Sequence, residues 1–231
     1  MKTIGMIGGT GWPSTLEYYR LINQETNRRL GGLNSAKIFL SSFNYAEIDT
    51  LNKKDDHAGV YKLVLESAQK LKKCSVDCIV ICANTLHQYV EELENETGLK
   101  VVHIADATAK EIRKNNISRI GLLGTRLTME MDFYKKRLSQ SGIESLVPAK
   151  SEREFIHNAI MDELLKEEFK EETKVKFLKI ISELEIDGAQ GIVLGCTEIP
   201  LLIKQKDTPL PVYNTLEIHA KAVVDFALDE N

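Results

Sequence analysis

The sequence predicts an α/β protein made of two similar doubly wound domains, with parallel sheets related by a pseudo-twofold axis. Three observations carry this. Strand-like apolar runs alternate with helical patterns along all 231 residues, and parallel strands need a crossover connection that is usually a helix. Ile4-Gly5-Met6-Ile7-Gly8 recurs as Ile120-Gly121-Leu122-Leu123-Gly124, a shift of 116 residues. The stretch running from Asp77 through Cys82 to Thr85 recurs from Gln190 through Cys196 to Glu198, a shift of 114 for the cysteines. Two matches in the same order at nearly one shift mark an internal repeat.

Strands are expected at residues 2–7, 36–41, 78–81, 101–104, 119–123, 145–147, 191–194 and 212–213, with helices filling the intervals. Ser14 is placed to start a helix over 15–30, which Gly31-Gly32 ends by left-handed termination. Asp106-Ala107-Thr108 opens a helix to Asn115, and Asn214-Thr215 opens the last one, over 216–228. Segment 162–185 alternates charges over an apolar stripe of Leu164, Val175, Leu178, Ile181 and Leu184, the pattern of amphipathic helices with a solvated face. No low-complexity linker divides the halves. The expected domains are therefore 1–100 plus 212–231, carrying Cys82, and 101–211, carrying Cys196.

Charged residues make up 28% of the chain and hydrophobic ones 43%, ordinary values for a globular protein. No apolar stretch approaches the roughly 20 residues of a membrane span. A net charge of −4 without a dense Lys/Arg block excludes a nucleic-acid partner. No basic segment followed by a long apolar core opens the sequence, so the cytoplasm is expected, with its four cysteines reduced. Cys74 and Cys78 match no zinc or redox spacing and are read as buried, packing residues.

The chemistry concentrates at the ends of two strands. Cys82 and Cys196 each close an apolar run at the position where open α/β sheets place their ligands. Asn84 and Thr85 follow the first thiol, and Thr197 and Glu198 the second. A helix amino terminus beyond each cysteine is expected to draw its pKa from about 8.5 toward neutrality, as a proton-transfer base requires. Glu198 is a candidate base for deprotonating Cys196, or a first-turn glutamate favoured by the helix dipole. His87 either tunes Cys82 or completes a buried turn. Gly8-Gly9-Thr10-Gly11 lacks the third glycine of a dinucleotide fingerprint, since Ser14 stands there. It offers instead either backbone amides near a helix start for a substrate carboxylate or a tight turn that needs glycine only for its dihedrals. No cofactor and no metal is expected.

With these residues in view, the chain resembles the cofactor-independent aspartate/glutamate racemase family, closest to its broad-specificity and L-aspartate/glutamate-acting members. The resemblance rests on Met1-Lys2-Thr3-Ile4-Gly5 with Gly8-Gly9, on Tyr18-Tyr19-Arg20-Leu21-Ile22-Asn23 and on His103-Ile104-Ala105-Asp106-Ala107-Thr108. Leu122-Leu123-Gly124-Thr125-Arg126 and Gly195-Cys196-Thr197-Glu198-Ile199 extend it over nearly the whole length. It implies an active site between two domains, usually a homodimer, and Cys82 and Cys196 as the two proton donor/acceptors. Thr10, Asn52, Ala83, Asn84 and Thr85 match substrate-holding positions, while Thr125 and Thr197 lie in neighbouring motifs. Aspartate-specialised relatives use an arginine after the second strand and a lysine in a second-half helix. Residues 41–52 contain no arginine here, and the lysine position is Leu165, beside Lys166. Strict aspartate specificity is therefore not expected.

The reading that results is an amino-acid racemase in which one cysteine removes the α-proton and the other delivers a proton to the opposite face. Two alternatives stay open: a maleate-isomerase or decarboxylase-like lyase on the same scaffold, and a non-catalytic amino-acid-binding protein.

Overall fold

The computed structural model describes residues 1–229. Two compact units are present, Met1–His103 with the chain from His219 onward, and Ile104–Ile218.

In the first unit β1 (Ile4–Gly8), α1 (Trp12–Leu30), β2 (Ile38–Ser42), α2 (Tyr45–Asn52), α3 (His57–Lys73), β3 (Cys78–Ile81), α4 (Val90–Thr97) and β4 (Lys100–Val101) follow in order. In the second come α5 (Ile104–Lys114), β5 (Arg119–Gly124), α6 (Arg126–Glu130), α7 (Asp132–Gln140), β6 (Glu144–Leu146), α8 (Lys150–Asp162), α9 (Glu171–Ile186), β7 (Ile192–Gly195), α10 (Ile199–Leu202) and β8 (Val212–Asn214). The final helix α11 (Thr215–Leu228) begins in the second unit and ends in the first.

Each unit holds one four-stranded, all-parallel sheet, ordered β2-β1-β3-β4 and β6-β5-β7-β8. Side chains alternate across such a strand, so both faces need a helical cover. In the second sheet Ile120, Leu122 and Val193 pack with Ile104, Ile112, Tyr134 and Leu138 of α5 and α7. Leu123, Ile192 and Leu194 point the other way, against Ile156, Phe177, Ile181 and Leu184 of α8 and α9. Fully burying one such aliphatic side chain contributes about 1.5–3 kcal/mol. In each sheet the chain steps from the first strand to one side and returns on the other, so the carboxyl ends of β1/β3 and of β5/β7 flank a topological switch point.

Several boundaries differ from expectation. Residues 212–218 belong to the second unit because Val212, Tyr213 and Asn214 pair with Ile192, Val193 and Leu194 as its fourth strand. From His219 onward the chain joins the first unit, where Lys2 N donates to Ala227 O and Arg29 pairs with Asp225. Helix α1 starts at Trp12, capped by Gly11, with Ser14 buried in its first turn. Pro13 there has a ring already set for a helical φ. Strand β4 ends early, and Ile104 and Ala105 belong to α5. Cys74 is exposed at the carboxyl end of α3, whereas Cys78 is buried. Val175 is 58% exposed, because at about 100° per residue it points roughly opposite to Phe177 and Leu184 on the buried face of α9.

Candidate active site

Cys82 is the first residue past β3. Its amide donates to the Ile7 carbonyl at 2.8 Å, and it is 1% exposed. Ala83, Asn84 and Thr85 then turn into a single 3-10 segment, Thr85–Tyr89. Asn84 is buried, and Ala83 and Thr85 are half-buried. Across the same switch point lies the β1–α1 loop. Gly9 has φ +89°, and a Cβ there would stand 2.3 Å from the Phe43 carbonyl oxygen, so glycine is required. The Gly9 amide, expected to be available to a substrate carboxylate, donates instead to Thr15 Oγ1 at 2.9 Å. Thr10 follows, half-buried, and Asn52 ends α2, also half-buried.

The second unit repeats this plan with different chemistry. Gly124 pairs with Gly195, and a Cβ on Gly195 would lie 2.9 Å from the Leu123 carbonyl oxygen, so backbone meets backbone beside the thiol. Cys196 comes next, 6% exposed. Its Sγ donates to Glu198 Oε2 at 2.9 Å, and Thr197 Oγ1 donates to the same oxygen at 3.0 Å. Glu198 itself is buried. The Thr125 hydroxyl caps α6 by accepting from the Thr128 amide and meets Thr128 Oγ1 at 3.1 Å.

The expected fall in thiol pKa is not found. Burial alone pushes Cys82 above its ordinary value. Burial also raises Cys196, well above its ordinary value, and the charge and hydrogen bond of Glu198 add to it, against a smaller pull from the amides of Glu198 and Ile199. The helix dipole loses because the first thiol is followed by a 3-10 turn and the second by a four-residue helix, too short to build a strong field.

Side chains distant in sequence complete the first site. His87 Nδ1 lies 2.7 Å from the Ala83 carbonyl oxygen. Its ring meets those of His103 and His219 at 4.9 and 5.3 Å between centroids. His219 bonds Val102 O through Nε2 at 2.7 Å and Tyr18 Oη through Nδ1 at 2.8 Å. Burial, with His87 adding, drives its pKa down to about 3. Tyr18 and His103 lie within the motifs of the resemblance, but nothing local marks His103 and His219 as partners of His87, or Tyr18 as the partner of His219. Leu165, at the lysine position of aspartate-specialised relatives, packs on the second unit's core, and Lys166 is exposed. Among the described residues no group of three or more His, Cys, Asp or Glu is placed to hold a metal ion. No described helix is long and apolar enough to cross a membrane.

Known proteins match this arrangement over most of the chain. The family described as Asp/Glu/Hydantoin racemase matches residues 7–223. The broad specificity amino-acid racemase RacX of Bacillus subtilis is 26% identical over 169 residues, covering 73% of this chain and 73% of that protein. A glutamate racemase of Aquifex aeolicus is 29% identical over 71% of this chain and 64% of that enzyme's length. Among solved structures, a candidate Asp/Glu racemase from Yersinia pestis is 44% identical, with a TM-score of 0.92 over 99% of this chain and 100% of that one. An aspartate racemase homologue from Pyrococcus horikoshii is 33% identical, with a TM-score of 0.85 over 99% and 100%.

Proposed function

The chain belongs to the Asp/Glu/hydantoin racemase family, and we propose that it interconverts L and D amino acids by proton transfer through Cys82 and Cys196. One thiolate removes the α-proton, and the opposite thiol returns a proton to the other face of the carbon.

The observation that carries this reading is the 2.9 Å bond from Cys196 Sγ to Glu198 Oε2. Ionising Cys82 creates a new charge in a buried place, which desolvation opposes. The Cys196–Glu198 pair holds one negative charge whether its proton sits on sulfur or on oxygen, so moving that proton leaves the net buried charge unchanged. Cys196 is therefore the base of the resting enzyme and Cys82 the acid, and each turnover exchanges their roles. The carbanionic intermediate and the substrate carboxylates need fixed donors, for which Thr10, Asn52, Asn84, Thr85 and the backbone at Ala83 in the first unit, and Thr125 and Thr197 in the second, are the candidates. Thr197 in addition orients Glu198.

The substrate is an acidic amino acid or a broader set. RacX is named for broad specificity and the Aquifex enzyme for glutamate, and the apolar Leu165 supports breadth. A chiral assay across the common amino acids tests this. Conversion of none, with each cysteine intact, contradicts the proposal and favours amino-acid binding alone. A homodimer is also part of the reading, supported by Trp12, Leu16 and Tyr19, exposed on one face of α1, and by Phe39 and Leu40, exposed on edge strand β2. Sedimentation at micromolar concentration should give twice the chain mass, and a monomer would remove this part.

A further inference from the structure

Two sets of buried hydrogen bonds, Val102–His219–Tyr18 and Ala83–His87, meet at the ring contact between His87 and His219, and their geometry fixes where the protons sit. The Val102 carbonyl can only accept, so His219 Nε2 carries the proton at 2.7 Å. His219 Nδ1 is then an acceptor, and Tyr18 Oη donates to it at 2.8 Å. By the same argument His87 Nδ1 donates to the Ala83 carbonyl at 2.7 Å, while the His87 amide donates to the Asn84 carbonyl at 3.1 Å. His87 thus grips two successive carbonyls of the turn that follows the thiol, and its ring rests against those of His103 and His219.

Tyr18 and His219 are 0% exposed and His87 is 2% exposed. Leucine or phenylalanine would fill such space without the desolvation cost of buried polar atoms. What histidine and tyrosine add is direction: Tyr18 is on α1, about two turns past the Gly9-Thr10-Gly11 loop from which that helix starts, and Ala83 directly follows Cys82. We propose that His87, His219 and Tyr18 are positioning residues that hold the Cys82–Thr85 turn in register with the β1–α1 loop, keeping thiol and substrate donors in one productive geometry. This rests on the racemase reading for its purpose, though its geometry is tested independently.

The test compares His87→Leu, which removes the grip, with His87→Asn, whose amide nitrogen stands where Nδ1 stood, and with Tyr18→Phe. Iodoacetamide alkylation of Cys82 and Cys196 is followed separately by peptide mass, alongside kcat, KM and a circular-dichroism melt. In His87→Leu, kcat is expected to fall about 30-fold and more than KM rises, as ångström-scale misplacement of a reacting group does. Cys82 alkylation should rise about fivefold or more as its turn loosens, with Cys196 within about twofold. His87→Asn should restore both to near the parent values, and Tyr18→Phe should fall between. Failure of His87→Asn to rescue, or an equal change at both cysteines, overturns the proposal. If His87→Leu does not fold, Tyr18→Phe decides by the same contrast. Alkylation needs no turnover, so a protein that racemises nothing refutes the functional reading while this arm still decides the positioning role.

Discussion

Cys82 and Cys196 occupy the same place in two sheets of identical strand order, yet their surroundings are opposites. The first thiol is followed by a turn whose Ala83 carbonyl accepts from buried His87, beside a His219 that donates to the Val102 carbonyl and accepts from Tyr18. The second donates directly to a buried carboxylate. The repeat therefore copied the position and not the proton affinity. A racemase gains from that inequality, because one thiol must be ready to take a proton while the other is ready to give one.

The sharpest way to break this comparison is to remove each thiol in turn. Cys82→Ser and Cys196→Ser should each lower racemisation about 10³-fold or more, since a positioned proton-transfer group contributes on that scale. The residual chemistry should differ. With Cys82 replaced, Cys196 and Glu198 still exchange the α-proton of one enantiomer with solvent; with Cys196 replaced, neither enantiomer exchanges. Proton NMR in deuterated water reads both, and equal exchange in the two variants would erase the proposed division of labour.

Glu198→Gln comes next, with an expected loss of about 10- to 100-fold in kcat from losing the proton acceptor. Removing a neighbouring negative charge favours the thiolate, so the alkylation midpoint of Cys196 should move to lower pH. That of Cys82 should stay in place, because no charged group contributes to its shift.

A smaller effect tests the histidine side. The folded pKa of His219 is depressed to about 3 from an ordinary 6.5, so below about pH 6.5 the unfolded chain binds a proton that the folded one refuses. Its stabilising contribution is complete above that pH and is lost as pH falls toward 3, at no more than about 1.4 kcal/mol per pH unit. Unfolding free energies from urea titrations at pH 7 and pH 5 should differ by about 1–2 kcal/mol more in the parent than in His219→Asn. Equal slopes would mean that the ring is not held neutral. Smallest of all, Cys74→Ser should change activity by less than about twofold and stability by less than about 0.5 kcal/mol, because that thiol is exposed.

The strands were legible because buried parallel strands are written as short apolar runs, and β3 falls at the expected Cys78–Ile81. The two thiols were legible because they close such runs. What was hidden depends on partners far away in sequence. Tyr18 and His219 are 201 residues apart and reveal nothing of their bond locally. The pKa directions were hidden too, since local rules supply a helix dipole but only the packed fold supplies the burial that overrides it. In α9 the expected stripe lost Val175 and missed Phe177, now fully buried, because steps of three residues drift by about 60° each around a helix, while the buried face follows Thr173, Phe177, Ile180, Ile181 and Leu184.

The most direct measurement is to incubate the protein with one enantiomer of aspartate or glutamate in deuterated water, and to separate product from residual substrate by chiral chromatography with mass detection. Two-thiol transfer predicts that nearly every product molecule carries deuterium at the α-carbon from the first turnovers, while residual substrate remains largely protiated. Product that keeps its original hydrogen would show a single group carrying the proton from face to face, and would contradict the account.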